Sequence, residues 1–163
     1  MADTLTTSQR HNNMSHIHST DTSPEKAIRS ALHRIGFRFR KNDRRLTGTP
    51  DIVLPHYNAV IFVNGCFWHA HGWDGSKTAG YSSSSCPGFR FPKSNMDFWA
   101  GKFTRNRDRD KRDIEKLRSD GWRVGVVWEC SITGRNRRSK IADTAARISF
   151  WLEEGLAETF MEF

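Results

Sequence analysis

Apolar residues recur at helical spacing in three stretches of the chain. The first stretch starts at Thr22 with a capping-box pattern and stops at Gly36, which predicts a helix of about thirteen residues. The second stretch, over residues 96–120, is long and is ended by Gly121. The third stretch, over residues 139–153, carries a clear apolar stripe. The pattern therefore predicts three helices, each with one buried face.

The segments between these helices carry the patterns of strands. Phe37 and Phe39 alternate with arginines, which is the period of a half-buried strand. Residues 51–54 and the continuous apolar run 59–63 are typical of strands in the middle of a sheet. A further strand is predicted over residues 122–128. The order of these elements predicts an α/β domain with a mixed central sheet flanked by helices.

A chain of 163 residues has room for one domain with a single core. Residues 1–21 are polar, and we expect them to form an arm that becomes ordered on contact with a partner. The domain is expected over residues 22–155, with a C-terminal tail at 156–163. Residues 65–92 include a Gly/Ser-rich stretch without periodicity, so we expect something other than a core to hold this region.

The charge of the chain favours a polyanionic partner such as nucleic acid. Lys and Arg number 26 against 18 Asp and Glu, which gives a formal net charge of +8 at pH 7. No apolar run approaches the roughly 18 residues that a membrane span requires, and the N-terminal residues lack the apolar run of a secretory signal. We therefore expect a cytoplasmic protein without membrane contact, whose three cysteines are reduced.

Three cysteines and one histidine have a spacing that suits a metal site. Zinc prefers thiolate and imidazole ligands in a tetrahedral arrangement, and four protein ligands leave no open position for catalysis. Such a structural site would fix the Gly/Ser-rich region to the end of the strand before residue 129. The alternative is that the cysteines are small buried residues without a ligand. The candidate zinc ligands are Cys66, His71, Cys86 and Cys130.

Asp51 and His69 are candidates for phosphodiester chemistry. Asp51 opens a strand, where a carboxylate can hold a magnesium ion, although a Pro-Asp pair by itself is more often a simple turn. His69 follows the next strand and could take the proton from an attacking water molecule. The alternative for His69 is an imidazole that faces solvent near the metal loop.

The long predicted helix brings a carboxylate onto an apolar face. A charged group on such a face is costly unless it is paired or bound, so we expect Asp110 to point into the site with Asn106 one turn away. Asp108 and Asp113 are assigned to the solvated face. The residues that share the apolar face are Phe103, Asn106, Asp110, Ile114 and Leu117.

Large aromatic residues in a glycine-flanked loop suggest contact with bases. Phe67, Trp68 and Trp99 could stack on bases or enter between base pairs, since not all of them can be core residues. Core packing is the alternative for Trp99. Glu25 could contribute a carboxylate to the site, and its alternative role is that of the glutamate in the capping box.

These residues resemble a known family, the very short patch repair (Vsr) DNA mismatch endonucleases of bacteria. The resemblance runs from about residue 10 to 152, nearly the whole chain. Its most specific motifs are Gly-Cys-Phe-Trp-His at residues 65–69 and Val-Trp-Glu-Cys at residues 127–130. Further matches are Asn13-Met14, Glu25-Lys26, Gly48-Thr49-Pro50-Asp51, Val60 to Asn64, Phe98-Trp99, Arg109-Asp110, Arg112-Asp113-Ile114 and Gly121 to Val124.

The resemblance implies a restriction-endonuclease-like fold and an enzyme that nicks one strand 5′ of the thymine in a T:G mismatch, the lesion left when 5-methylcytosine deaminates. The products would be a 5′-phosphate and a 3′-hydroxyl. By resemblance, Asp51 and the main-chain carbonyl of Val63 hold Mg²⁺, and His69 is the general base. Asp110 and Glu25 support the site. The Cys3His set holds a structural Zn²⁺.

The resemblance also implies how the duplex is held. Phe67, Trp68 and Trp99 match a wedge that enters the duplex beside the mismatch, and Met14 matches a residue that the N-terminal arm inserts from the other groove. Lys102 and Asn106 on the long helix join the predicted DNA contacts. The expected partners are double-stranded DNA with a T:G mismatch, mismatch-repair proteins and a DNA polymerase. We expect a monomer in the bacterial cytoplasm that associates with the nucleoid when bound to DNA.

The chain departs from related patterns at three places. Restriction-type nucleases usually carry an acid and a lysine on the second strand, but residues 62–64 supply neither, so His69 has to activate the water. Some family members have His where this chain has Asn64. The segment 72–92 is longer than usual and displaces the third zinc ligand to Cys86.

Two other functions are compatible with the sequence. One is a small restriction-type endonuclease that cuts matched DNA at a defined sequence. The other is a zinc-stabilised nucleic-acid-binding module without catalysis. Incubation with magnesium and a duplex that carries one T:G pair separates these functions. One nicked strand supports the mismatch endonuclease, and double-strand cutting of matched DNA supports the restriction-type enzyme. Binding without cleavage supports the nucleic-acid-binding module.

Overall fold

The computed structural model describes residues 20–76, 85–154 and 157–163, together with positions 6, 8, 9 and 12. The predicted arm contact Met14 lies outside these residues. No helix among them is both long and apolar enough to cross a membrane. The described helices are α1 (Ser23–Arg34), α2 (Met96–Ser119) and α3 (Arg137–Glu153). The described strands are β1 (Arg40–Lys41), β2 (Ile52–Leu54), β3 (Ala59–Asn64), β4 (Arg123–Trp128) and β5 (Phe160–Glu162).

The five strands form one mixed sheet in the order β1-β2-β3-β4-β5. The first three strands pair antiparallel, with Ile52 opposite Ile61 between β2 and β3. The last three pair parallel, with Val60 opposite Val124 between β3 and β4. The prediction of a mixed sheet whose middle is formed by residues 51–63 is confirmed.

Side chains that alternate along the strands supply two hydrophobic layers. Ile52 and Ile61 point to one face, where they pack with α1 and α3. Val53 and Val60 point to the other face, where they meet Leu117 of α2. The sheet is therefore covered on both sides, and α2 is the described helix on the face that carries Leu117.

The strand predicted around Phe37 and Phe39 is largely absent. The Phe37 N–H donates to Leu32 O at 3.0 Å and thereby closes the end of α1. Gly36 provides the left-handed turn with φ +107° that this closure needs. The Phe37 ring is buried and lies 5.4 Å from the ring of Tyr57. The alternation therefore reflects a helix end and its contact with the core, and only Arg40–Lys41 join the sheet.

The last described residues, which were expected to form a tail, add β5 beside β4. The Phe163 N–H donates to Val126 O at 2.8 Å, and Phe163 O accepts from the Trp128 N–H at 3.0 Å. The Phe163 ring is buried and approaches Trp151 at 5.8 Å. Gly125 allows this contact, because a Cβ there would lie 3.2 Å from the Phe163 ring. The C-terminal residues are therefore part of the domain core.

A buried arginine ties β4 to the end of α3. Arg123 is 7 % exposed, and its guanidinium donates to Leu152 O at 3.2 Å, to Glu158 O at 3.3 Å and to Trp151 O. Its Cζ lies 4.5 Å from the centroid of the Trp151 ring. The cation thus donates to carbonyl groups of Trp151 and Leu152 in the last turn of α3 and to that of Glu158 beyond it.

We expect Arg123→Met to lower the free energy of unfolding by about 2 kcal/mol, because buried carbonyls lose their donors. Urea unfolding measures this change. Arg112→Met, at an exposed position of α2, is the control and should shift the midpoint by less than about 0.5 kcal/mol. Equal shifts in the two variants would contradict the role of Arg123.

Candidate functional site

Asp51 stands immediately before β2 and faces the end of β3. Its Oδ2 accepts a hydrogen bond from the Val63 N–H at 2.7 Å. The antiparallel register, with Ile52 opposite Ile61, places these two residues side by side. The structure therefore brings together the two residues that the sequence analysis assigned to Mg²⁺.

Burial raises the pKa of Asp51 to about 6, and the charge of Glu25 adds to the increase. The Val63 N–H, Arg29 and His69 act in the opposite direction without reversing it. A partly buried carboxylate beside a second acid is a place where a cation is favourable. The electrostatics at Asp51 therefore fit a bound divalent ion.

Glu25 is a buried capping residue of α1 whose charge also reaches the site. Its N–H donates to Thr22 Oγ1 at 3.5 Å, and its carboxylate accepts from the Thr22 hydroxyl and from the Asp21 N–H. Arg29 donates to the same carboxylate at 3.3 Å. The capping role predicted for Glu25 is confirmed. Its charge also raises the pKa of Asp51.

His69 and Asp110 form a direct pair. His69 Nδ1 lies 2.5 Å from Asp110 Oδ2, and Arg109 donates to Asp110 Oδ1 at 2.9 Å. Burial opposes ionisation of Asp110, but the hydrogen bonds from His69 and Arg109 outweigh it and hold the pKa below its usual value. Because an ionised carboxylate only accepts, Nδ1 of a neutral His69 carries the hydrogen. Nε2 is then the nitrogen that can accept a proton.

The face predicted for the long helix is confirmed at Asn106, with one correction at Asp113. The Asn106 amide donates to Trp68 O at 2.8 Å. This hydrogen bond connects α2 to residues 65–73, which follow β3 and are called the aromatic loop below. Asp108 is exposed, as expected. The prediction that Asp113 faces solvent is wrong, because its side chain is 17 % exposed and packs beside Gly48. Asp113 lies three residues after Asp110 and so shares its face.

A tight turn makes that contact possible. Gly48 and Thr49 have φ +73° and +52°, the left-handed region that a β-branched residue rarely adopts. A Cβ at Gly48 would lie 3.1 Å from the Phe62 ring and 3.3 Å from Asp113 Oδ2. The backbone of this turn therefore packs directly against β3 and α2, and the chain after the turn enters β2 at Asp51.

The predicted Cys3His set is assembled. One ligand atom from each residue lies within 4.8 Å of all the others. His71 Nδ1 lies 3.6 Å from Cys66 Sγ and 3.5 Å from Cys130 Sγ. Tetrahedral zinc with Zn–S of about 2.3 Å and Zn–N of about 2.05 Å requires a separation of about 3.6 Å. The cluster, which comprises Cys66, His71, Cys86 and Cys130, therefore fits a four-coordinate metal ion.

The surroundings of the cluster affect both its thiols and its histidine. Burial raises the pKa of Cys66 well above the usual range and also raises the pKa of Cys130, so these thiols need a bound cation to ionise near neutral pH. The His71 ring stacks on Trp128 with centroids 3.9 Å apart, which fixes the direction of Nδ1. His69 lies between the ligands Cys66 and His71, so the cluster also positions the candidate base.

The expectation that something other than a core holds residues 65–92 is wrong in part. Trp73 is buried, and its ring lies 5.6 Å from Phe91 and 5.7 Å from Phe103 of α2. Phe89 packs on the same Phe103 ring at 5.3 Å. A second hydrophobic core therefore anchors the described part of this region together with the metal cluster. The spacing of these aromatics follows neither a helix nor a strand, so periodicity could not reveal them.

The three predicted wedge residues lie together at the edge of this second core. The Phe67 ring lies 5.1 Å from Trp68 and 5.2 Å from Trp99, and all three side chains are partly exposed. Lys102 Nζ lies 5.1 Å from the Trp68 ring and 5.3 Å from the Trp99 ring. The surface is thus aromatic and positively charged, which suits stacked bases between phosphates.

A cavity of about 300 Å³ adjoins the His69–Asp110 pair. Its wall includes Thr49, Asn64 and Arg109. Arg109 was not among the predicted site residues, although its position beside Asp110 was a usable signal, since a cation next to a carboxylate is a common way to fix it. The cavity gives a reacting group access to the hydrogen-bonded pair of His69 and Asp110.

Comparison with known proteins gives consistent results. Residues 2–75 match the family model described as DNA mismatch endonuclease Vsr. The chain is 44 % identical over 133 residues to "Type II nicking enzyme V.XorIIP" of Xanthomonas oryzae, covering 82 % of this chain and 88 % of that protein. It is 39 % identical over 152 residues to "DNA mismatch endonuclease Vsr" of Escherichia coli, covering 93 % and 88 %. It is 44 % identical over 135 residues to "Type II nicking enzyme V.NmeAIP" of Neisseria meningitidis, covering 83 % and 87 %.

Proposed function

The chain belongs to the Vsr DNA mismatch endonuclease family, and we propose that it nicks one strand of duplex DNA 5′ of the thymine in a T:G mismatch. The family makes DNA its substrate and strand cleavage its activity. The mismatch, which 5-methylcytosine deamination produces, and the start of very short patch repair are parts of the proposal. The observation that supports it best is the His69–Asp110 pair beside the Asp51–Val63 contact.

Asp51 and the main-chain carbonyl of Val63 are the proposed holders of a catalytic Mg²⁺. When bound, such an ion neutralises charge on the scissile phosphate. The Val63 N–H fixes one carboxylate oxygen of Asp51 and so orients the other. The five-stranded mixed sheet with helices on both faces is compatible with the proposed restriction-endonuclease-like fold.

His69 is the proposed general base. Asp110 holds its Nδ1, so Nε2 is left to take the proton from the attacking water. The ionised carboxylate also stabilises the imidazolium that results. A water attack on phosphorus with loss of the 3′-oxygen leaves a 5′-phosphate and a 3′-hydroxyl. Glu25 supports the site through its charge on Asp51.

Selection of the mismatch is assigned to the aromatic surface. A T:G wobble is easily unstacked, so entry of Phe67, Trp68 and Trp99 costs less there than at a matched pair. Lys102 and Asn106 are proposed to contact the DNA at the same end of α2. Met14 is proposed to act from the other groove.

The remaining proposals concern the structural metal and the cellular setting. The Cys66, His71, Cys86 and Cys130 cluster is proposed to hold Zn²⁺ with no open position. We propose that the protein acts as a monomer in the bacterial cytoplasm, associates with the nucleoid through DNA, and hands its product to mismatch-repair proteins and a DNA polymerase.

A nicking assay with Mg²⁺ tests the proposed function. Duplexes that differ only in a T:G or a T:A pair at one position are labelled separately on each strand. We expect one cut, in the thymine strand of the T:G duplex. The nick should carry a 5′-phosphate, so DNA ligase should be able to reseal it. Double-strand cleavage of the T:A duplex would support a restriction-type enzyme, and binding without cleavage would support a module without catalysis.

Asp110→Asn tests the pair in the site. The amide can donate to His69 and so favours the wrong tautomer, and we expect kcat to fall about 10²-fold with KM little changed. Asp108→Asn, an exposed carboxylate on the same helix, is the control and should keep kcat. Single-turnover nicking over a range of enzyme concentrations distinguishes a loss of maximal rate from a loss of DNA binding. Full activity in Asp110→Asn would remove Asp110 from the mechanism.

A further inference from the structure

Phe98 is an aromatic residue with little packing of its own. It is 57 % exposed, lies in the first turn of α2 and belongs to none of the hydrophobic clusters of the described residues. A single exposed phenylalanine is ordinary. Phe150 of α3, at 67 %, is another on the opposite face of the sheet. The neighbours of Phe98 set it apart from Phe150.

The ring of Phe98 is continuous with the aromatic surface already described. Its centroid lies 5.4 Å from that of Trp99, with the ring planes at 80°. Lys102 Nζ lies 6.0 Å from the Phe98 ring, in addition to its contacts with Trp68 and Trp99. One ammonium group is therefore shared by three rings, and Phe98 is the most exposed of them.

The helix places two cations and a glycine on the same stripe as Phe98. Residues 98, 101, 102 and 105 follow the i, i+3, i+4, i+7 spacing of one helical face. The Arg105 guanidinium lies over Gly101, one helical turn earlier, where its Nη1 would be 3.2 Å from a Cβ. Glycine inside a helix is unfavourable, and here it lets the cation and any bound backbone come close to α2.

A ring flanked by cations matches the alternation of a base and its phosphates. A base offers a flat face to the ring, and the neighbouring phosphate oxygens suit a guanidinium. A protein partner that only covered the exposed ring of Phe98 would not require the two cations, Lys102 and Arg105, on the same helical stripe. A lipid surface would need a larger apolar area than one exposed ring.

We propose that Phe98 stacks on a nucleobase of the bound duplex and that Arg105 binds the adjacent phosphate, which extends the DNA-contacting surface along α2. This inference rests on the proposed function for the nature of the duplex. It assigns to Phe98 and Arg105 two different contributions. Stacking is insensitive to salt, whereas a phosphate contact releases a counterion and depends on salt.

Equilibrium binding separates these contributions. The Asp51→Asn background prevents cleavage, and anisotropy with a labelled T:G duplex is measured between about 50 and 200 mM NaCl. We expect Phe98→Ala to weaken binding about 10-fold at every salt concentration, with the slope of log Kd against log salt unchanged. We expect Arg105→Gln to lower that slope by about 1.

Matched variants on the other face of the sheet are the controls. Phe150→Ala and Arg138→Gln change an exposed ring and an exposed cation away from α2, and both should bind as the parent does. Phe98→Trp should restore the affinity that Phe98→Ala loses. Thermal unfolding checks that Phe98→Ala stays folded.

The inference is overturned if Phe98→Ala binds as Phe150→Ala does, or if Phe98→Ala alters the salt slope as Arg105→Gln does. Failure of the proposed function is a separate outcome, since it is read from the parent protein, which would then not nick the T:G duplex. A 10-fold loss in Phe98→Ala on any duplex still supports the stacking contact in that case.

Discussion

Asp51→Asn is expected to abolish nicking and at the same time to make the metal-free protein more stable. The carboxamide is neutral and binds a divalent ion poorly, so we expect the nicking rate to fall by at least about 10³-fold. The amide oxygen can still accept from the Val63 N–H, so the turn before β2 should keep its shape. Single-turnover nicking with saturating Mg²⁺ measures the loss.

The gain in stability follows from the sign of the pKa shift. Burial raises the pKa of Asp51 to about 6 from an ordinary value of 3.8, so the folded state favours the neutral form. This contribution to stability is fully present below pH 3.8 and is lost as the pH rises through about 6. At neutral pH the ionised carboxylate therefore costs folding energy, and we expect Asp51→Asn to recover on the order of 2 kcal/mol.

Urea unfolding at pH 5 and pH 8 without added magnesium tests this. The two proteins should differ more at pH 8, and Asp108→Asn, an exposed position, should show no such difference. In the parent enzyme, nicking should decline below about pH 6, and more Mg²⁺ should move the decline to lower pH, because ion and proton compete for Asp51. A variant that is less stable at pH 8 would contradict the assignment.

His71→Ala is expected to remove the metal and to unfold the aromatic loop. Loss of one of four ligands leaves buried thiols whose pKa is raised by burial, and the Trp128 ring loses its stacked partner. We expect the free energy of unfolding to fall by about 4 kcal/mol, or about 10 °C in Tm. Nicking should be lost as well, because His69 is two residues away.

His33→Ala is the matched control, since His33 is exposed on α1 and away from the cluster. Metal analysis of the purified proteins should give about one zinc per chain in the parent and in His33→Ala, and little in His71→Ala. A strong chelator should lower the Tm of the parent to that of His71→Ala. A parent protein that is fully folded and free of zinc would contradict the proposed site.

The helices and the middle of the sheet were predictable because each has a local signal. Thr22 and Glu25 cap α1, Gly121 ends α2 with φ +88°, and the run at 59–63 has no polar break. The face of α2 that carries Asp110 also follows from helical spacing alone. Such signals need only neighbours in the chain.

The features that were missed depend on contacts distant in sequence. β5 is three residues long and is fixed by hydrogen bonds to β4, about 35 residues earlier in the chain. The second core joins Trp73 and Phe91 to Phe103, and its members have no common period. Helical spacing places Asp113 on the face of Asp110, but the approach of the turn at Gly48 that partly shields Asp113 comes from a distant part of the chain.

The Cys3His set and the Asp51–Val63 contact are intermediate cases. The residue types suggested the chemistry, and the strand pattern placed Asp51 and Val63 at neighbouring strand ends. The separations of 59 residues between Cys130 and His71 and of 41 residues between Asp110 and His69 could not by themselves establish contact. The family resemblance supplied the missing link, and the structure brings His69 and Asp110 together.

The unbroken length of α2 has a consequence for where the strand is cut. Trp99 and Asp110 lie on one continuous helix of 24 residues, about 16 Å apart along its axis at about 1.5 Å per residue. In the proposed mechanism, a rigid rod thus sets the spacing between the base pair that Trp99 would open and the bond that would be hydrolysed, independently of the flanking bases. One residue inserted between them would rotate the two ends by about 100° and separate recognition from hydrolysis.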